Sequence, residues 1–213
     1  MPGLRIALAQ VNPCVGDIAG NAALVREWSR RAADAGAGLV AFPEMVMVGY
    51  PIEDLALRAS FQRAAAAAVE QLAAELVADG LGGLTVVLGS LGVNAAGRPT
   101  NDAYVLRGGA VIARYSKHHL PNYGVFDERR IFSPGSDRCV LEVAGTRVGI
   151  VICEDIWQDG GPVAAMADAD VQLLLVINGS PFEEGKGRIR TELARRRAAE
   201  VRAPLAYVNM WGG

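Results

Sequence analysis

Cys139-Val-Leu-Glu-Val-Ala-Gly-Thr-Arg-Val-Gly-Ile-Val-Ile-Cys-Glu-Asp155 carries two apolar runs, 139–143 and 147–152, on either side of Ala144-Gly145. The spacing predicts a β-hairpin, and its second run stops on a thiol followed by two carboxylates. A second hairpin is predicted where runs 102–107 and 110–115 flank Gly108-Gly109. Around these hairpins the chain alternates strand and helix. Further strands are predicted over 4–10, 39–42, 85–90, 171–177 and 205–210, and helices over 21–35, 52–78, 163–168 and 186–201. Helix 21–35 shows apolar side chains at spacings of three and four, and Gly36-Ala-Gly38 ends it. Two hairpins within an alternating pattern argue against a purely parallel, doubly wound sheet. They predict an α/β fold with one mixed sheet, or with two sheets carrying helices on their outer faces.

Two other apolar runs end on a lone reactive side chain: Leu39-Val-Ala-Phe-Pro-Glu44 and Val111-Ile-Ala-Arg-Tyr-Ser-Lys117. A glutamate, a lysine and Cys153, each at the downstream end of its own strand, can meet in one site. An ordinary thiol has a pKa of about 8.5, so it needs a base or a cation nearby to become a nucleophile at neutral pH. Glu44, followed by the apolar segment 45–50, reads as a sheltered base, and Lys117 as an oxyanion stabiliser. Only two of the 21 cationic side chains are lysines, Lys117 and Lys186, which favours a role that a guanidinium cannot fill. Plainer readings stand beside these: a core thiol, a solvated loop carboxylate, a surface lysine. The core reading suits Cys14 and Cys139 better than Cys153. The neighbouring His118 and His119 leave open a Cys–His pair, or a histidine that caps a loop.

Composition narrows the classes. The chain has 213 residues, 51% hydrophobic, with a net charge of −2. One domain with an ample core is expected, and no basic block marks a nucleic-acid surface. No apolar run reaches the roughly 18 residues of a membrane span. Three cysteines without a CxxC pair, and no signal peptide, predict a reducing, cytoplasmic setting. Gly36-Ala-Gly38-Leu-Val-Ala41 has the letters of a dinucleotide fingerprint but leaves a helix for a strand, the reverse of what that loop requires. The stretch Gly179–Lys186 has one residue too many for a phosphate loop, and Gly187 stands where a magnesium-binding hydroxyl would be. Metal ligands at zinc spacing are absent from the sequence.

Phe42-Pro-Glu44, Tyr115-Ser-Lys117 and Ile152-Cys-Glu-Asp155 together resemble the Glu–Lys–Cys triad of the nitrilase (carbon–nitrogen hydrolase) superfamily. More narrowly, the stretch Lys117-His-His-Leu-Pro-Asn-Tyr-Gly-Val-Phe-Asp-Glu-Arg-Arg-Ile-Phe132 is similar to the glutaminase domain of glutamine-dependent NAD synthetases. Cys153-Glu-Asp-Ile-Trp157, Asn178-Gly-Ser-Pro-Phe182 and Val208-Asn-Met-Trp-Gly-Gly213 carry the same likeness. The resemblance implies a four-layer α-β-β-α sandwich in which residues 1–213 form a glutamine amidohydrolase domain. It implies Glu44 as general base, Lys117 as oxyanion stabiliser and Cys153 as nucleophile. It also implies Tyr123, Ser180 and Lys186 as glutamine-binding residues, Glu128 as a support for the lysine, and a backbone N–H near Glu154 as a second oxyanion donor. A packed loop aromatic, a turn serine and a helix-start lysine remain open readings for the three binding positions.

No cofactor is implied for this half-reaction. ATP and magnesium belong to a downstream synthetase domain, the expected partner together with L-glutamine, and self-assembly into a homo-oligomer is expected. Ending at Trp211-Gly-Gly213 immediately after a strand, the chain reads as a fold cut before its last strands. A stand-alone amidase or carbamoylase, and a binding domain with a decayed site, are the rival expectations.

Overall fold

Two sheets stand face to face in the computed structural model, which describes residues 3–124 and 126–212. Val125 and Gly213, each part of a motif quoted above, lie outside the described residues. The first sheet has the order β1 (Ile6–Leu8), β2 (Leu39–Ala41), β3 (Thr85–Val93), β4 (Pro99–Arg107) and β5 (Ala110–Ser116). Its first three strands are parallel, and its last three are joined antiparallel. The second sheet has the order β6 (Cys139–Val143), β7 (Thr146–Ile152), β8 (Leu173–Asn178) and β9 (Leu205–Asn209). There β6 and β7 form the hairpin read from the sequence, and β7, β8 and β9 run parallel.

Helices α1 (Ile18–Asp34) and α2 (Ala59–Ala78) cover the first sheet. The four-residue α3 (Glu128–Ile131) buries Ile131 in the core on the helix side of the first sheet, while α4 (Gly161–Asp168) and α5 (Lys186–Val201) cover the second sheet. Three apolar layers follow from strand alternation. Leu39 and Ala41 face Ile150, Ile152, Leu175 and Ile177 across the inter-sheet core. Val40 turns the other way, toward Val25, Val69 and Leu72 of the first helix pair. Val151, Leu174 and Val176 likewise pack on Val163, Met166 and Leu193 of the second pair. The result is the four-layer α-β-β-α sandwich.

Several boundaries differ from the sequence reading. The single helix expected over 52–78 is two pieces, a 3-10 turn at Glu53–Leu57 and then α2, because Arg58 is extended (φ −83°, ψ 114°). Ile52 and Ala56 are buried in the helix–sheet core, so packing overrides the helical preference of this alanine-rich stretch. Strands β3 and β4 are longer than expected and pair from Val86↔Leu106 to Val93↔Pro99, a third hairpin that the sequence reading missed. Its turn is built by Asn94, whose Oδ1 accepts the N–H groups of Ala96 and Arg98 (3.0 Å each). Gly89 and Gly92 obscured the β pattern, and both have steric reasons. A Cβ at Gly89 would lie 2.1 Å from Met45 N, and one at Gly92 would lie 1.7 Å from Asp102 Oδ2. The expectation that Cys14 is a core thiol is wrong: it is exposed on the loop after β1, while Cys139 is buried between the sheets.

Candidate active site

The downstream ends of β2 and β5 in one sheet, and of β7 and β8 in the other, open into the same region. After β2 the chain crosses β3 closely: Phe42 N–H bonds Val87 O (2.8 Å), Gly89 N–H bonds Pro43 O (3.2 Å) and Met47 N–H bonds Gly89 O (3.1 Å). This sets Glu44 on the sheet, and only a residue without a Cβ at position 89 permits it. Gly89→Ala is therefore expected to cost about 1–3 kcal/mol of stability, measured by denaturant unfolding, and to lower activity with it.

Glu44 and Lys117 are fully buried. The Lys117 Nζ lies 2.7 Å from Glu44 Oε1 and 2.8 Å from Glu128 Oε2. Asn101 Nδ2 also donates to Glu44 Oε1 (2.7 Å), and the Tyr50 hydroxyl donates to Glu128 Oε1 (2.9 Å). Glu128 is thus in direct contact with the lysine. Asn101 and Tyr50 are additions that the sequence reading did not contain. Burial alone would favour a neutral Lys117, but the Glu44 and Glu128 charges outweigh it and hold the amine well above its ordinary pKa. Burial pushes the Glu128 carboxyl up to about 7, with Glu44 adding to the rise against the pull of Lys117.

The other carboxylate oxygen, Glu44 Oε2, is buried without a hydrogen-bond partner. It faces Gly179 at the end of β8, where a Cβ would come within 3.1 Å of it. The Cys153 sulfur lies 3.8 Å from the Oγ of Ser180, the next residue, so the free oxygen and the sulfur approach the same turn after β8. Cys153 is 4% exposed and sits in a left-handed backbone conformation (φ +44°), at a sharp elbow where β7 passes into a 3-10 turn, Cys153–Ile156. Burial first, and then the Glu44 charge, push its thiol well above the ordinary range, against the pull of Lys117. At rest the sulfur keeps its proton, and the nearby Glu44 Oε2 is a carboxylate acceptor without a partner. This arrangement can transfer a proton and generate a thiolate during reaction.

A cavity of about 220 Å³ opens on Cys153 and is lined by Tyr123, Phe126, Glu154, Trp157, Ser180, Glu183, Lys186 and Ile189. All three expected binding residues are therefore in it. Ser180 Oγ lies 3.8 Å from Cys153 Sγ. The Tyr123 hydroxyl donates to Glu154 Oε2 (2.7 Å), and Gln158 Nε2 donates to Glu154 Oε1 (2.9 Å). Lys186 opens α5, with its Nζ 2.8 Å from Glu183 and 5.8 Å from the centre of the Trp157 ring. The Glu154 side chain, Trp157 and Glu183 were not singled out as lining residues from the sequence. The cavity offers an ammonium and a helix N-terminus as well as a carboxylate, a pattern suited to a small zwitterion.

The histidines do not form the alternative Cys–His pair. The His118 ring stacks on Tyr115 (5.4 Å between centroids) and its Nε2 lies 2.8 Å from Asp137 O, while His119 Nε2 abuts the Gly161 backbone. Behind the elbow, the buried Arg197 of α5 holds the carbonyls of Ile156 and Gln158 (2.6 Å each) and fixes the segment that follows Cys153.

Residues 5–213 match the family model described as carbon–nitrogen hydrolase. The chain is 38% identical over its whole length to the glutamine-dependent NAD(+) synthetase of Acinetobacter baylyi, and covers 38% of that protein. The solved glutamine-dependent NAD+ synthetase of Acinetobacter baumannii superposes on 99% of the chain with a TM-score of 0.90 at 35% identity; 39% of that chain is covered. An amidase of the nitrilase superfamily from Nesterenkonia AN1 gives a TM-score of 0.84 at 27% identity, covering 99% of this chain and 77% of its own. Variants of that amidase have been solved with acrylamide added to the active-site cysteine and with butyramide. The chain spans well under half the length of the synthetases it matches.

Proposed function

The chain belongs to the carbon–nitrogen hydrolase family, and on that premise we propose that it hydrolyses the side-chain amide of glutamine to glutamate and ammonia. Glu44 Oε2 takes the Cys153 proton as the sulfur attacks the amide carbon. Lys117 and a backbone N–H near Glu154 hold the oxyanion. Glu44 then hands the proton to the departing ammonia, leaving a γ-glutamyl thioester on Cys153. Water, deprotonated by Glu44, releases glutamate. These steps use the chain's own side chains and call on no metal or organic cofactor.

The observation that carries the reading is the unpartnered Glu44 oxygen at Gly179, next in the chain to the Ser180 that contacts the Cys153 sulfur, with a cavity over Cys153 that also holds Lys186 and Glu154. Lys186 and Ser180 suit the substrate's α-carboxylate, and Glu154 with the Tyr123 hydroxyl suits its α-ammonium. In the longer protein the ammonia would serve an ATP- and magnesium-dependent synthetase domain that amidates deamido-NAD. Assembly as a cytoplasmic homo-oligomer completes the proposal. Among the described residues, no helix is long and apolar enough to cross a membrane.

The test is ammonia release from glutamine and from butyramide, which lacks both α-substituents. Glutamine is expected to be preferred by about 100-fold or more in kcat/KM, since two charge-assisted contacts are lost with butyramide. Lys186→Ala should raise KM for glutamine about tenfold and leave butyramide hydrolysis unchanged. Equal kcat/KM for the two amides would overturn glutamine as the substrate and favour a stand-alone amidase.

A further inference from the structure

The geometry points to Asp155 as a positioning residue: its carboxylate ties the strand end that carries Lys117 to the elbow that carries Cys153, and so sets their spacing. Asp155 is fully buried and accepts four hydrogen bonds. Its Oδ1 takes the backbone N–H groups of His118 (3.1 Å) and His119 (2.9 Å). Its Oδ2 takes the Tyr115 hydroxyl (2.7 Å) and the Ile152 N–H (3.0 Å). Three of these donors bracket Lys117, two residues before it and one and two after. The fourth immediately precedes Cys153.

Strands β5 and β7 lie in different sheets, so no backbone ladder fixes the distance between Lys117 and Cys153. Asp155 supplies that link through one side chain. Its bond to Ile152 also closes the turn in which Cys153 holds a positive φ, a conformation that persists only when its surroundings enforce it. Among the described residues no lysine or arginine pairs with this carboxylate, so its partners are geometric donors and not a neutralising charge. Four converging donors also explain the residue type. Asparagine has nearly the same shape but a single acceptor oxygen, so its amide group would confront the Ile152 N–H.

The hydrolytic part of this inference rests on the proposed glutaminase reading, so the experiment carries two readouts. The first is steady-state ammonia release from glutamine. The second, independent of any substrate, is the rate at which iodoacetamide alkylates Cys153, followed by mass spectrometry. Asp155→Asn is expected to lower kcat by about 100-fold with KM within about threefold of wild type, the scale on which a misplacement of about 1 Å acts. Alkylation should slow by about tenfold, because the sulfur is displaced from its base. Tyr115→Phe removes one donor without burying a new polar group, and should lower kcat by about fivefold. The double variant should be no slower than Asp155→Asn alone, since both changes act through one carboxylate.

A folded Asp155→Asn protein with wild-type kcat and alkylation rate overturns the inference, as does a raised KM with kcat unchanged. If that variant does not fold, Tyr115→Phe decides: an unaltered kcat and alkylation rate overturn it. If the wild-type protein releases no ammonia from glutamine yet is alkylated at Cys153, the substrate reading fails and the alkylation rates of the variants still judge Asp155.

Discussion

Cys153→Ala is expected to abolish glutamine hydrolysis, with kcat down by about 10⁴-fold or more, while the protein still folds. The size follows from the proposed chemistry: there the thiol is the covalent half of the reaction, and removing a nucleophile that acts as a unit with its base forfeits nearly all of their joint effect. Ser180 Oγ, 3.8 Å from the sulfur, is a hydroxyl near enough to substitute. It is a poor replacement, because an unactivated hydroxyl is far less acidic than a thiol. Folding should survive, since a single buried sulfur is exchanged for a void of comparable size, at a cost of about 1 kcal/mol. Ammonia release measures the first part and thermal unfolding the second. A variant retaining a tenth of wild-type activity would place the nucleophile elsewhere, and Ser180 would be the first position to test.

The sequence exposed the candidate trio Glu44, Lys117 and Cys153 because each member is the polar stop of an apolar run, and strand ends are where an α/β sandwich collects side chains. The cavity residues Tyr123, Ser180 and Lys186 came from motif likeness. Their neighbours at positions 157 and 183 needed coordinates, since nothing in their local pattern separates a lining side chain from a surface one. Asn101 shows the limit most clearly. It precedes Ala103 and Val105 on the inward face of β4, a polar residue in an apolar register, and it binds Glu44 across 57 positions of sequence. Starting the strand at Asp102 hid that register, because Pro99 and the glycines of β3 look like loop. Tyr50 and Asp155 were missed for a related reason: a sequence shows a residue's neighbours and not the donors that converge on it. The helix over 52–78 failed because propensity is local, while the extended Arg58 is set by how Ile52 and Ala56 pack.

Lys117→Met is the complementary experiment, because it tests charge where Cys153→Ala tests covalency. The substitution keeps an unbranched side chain, one atom shorter, and removes its ammonium. Loss of the oxyanion partner is expected to lower kcat by about 10³-fold. Stability should fall as well, by about 3–5 kcal/mol at neutral pH, because Glu44 and Glu128 are left buried together without a cation. The pH dependence gives the sharper signature. Burial and Glu44 already raise the Glu128 carboxyl to about 7 even with Lys117 pulling it down, so removing Lys117 raises it further. A carboxyl whose folded pKa lies above its unfolded value near 4.5 favours folding most at pH values below 4.5, and that contribution is lost as pH rises through the folded pKa. The variant should therefore recover Tm as pH is lowered from 8 to 6, where protonation of Glu128 removes its charge. A Lys117→Met protein with the same Tm at pH 8 and pH 6 would mean that the two carboxylates are not held together, and the charge arrangement drawn from residues 44, 117 and 128 would be wrong.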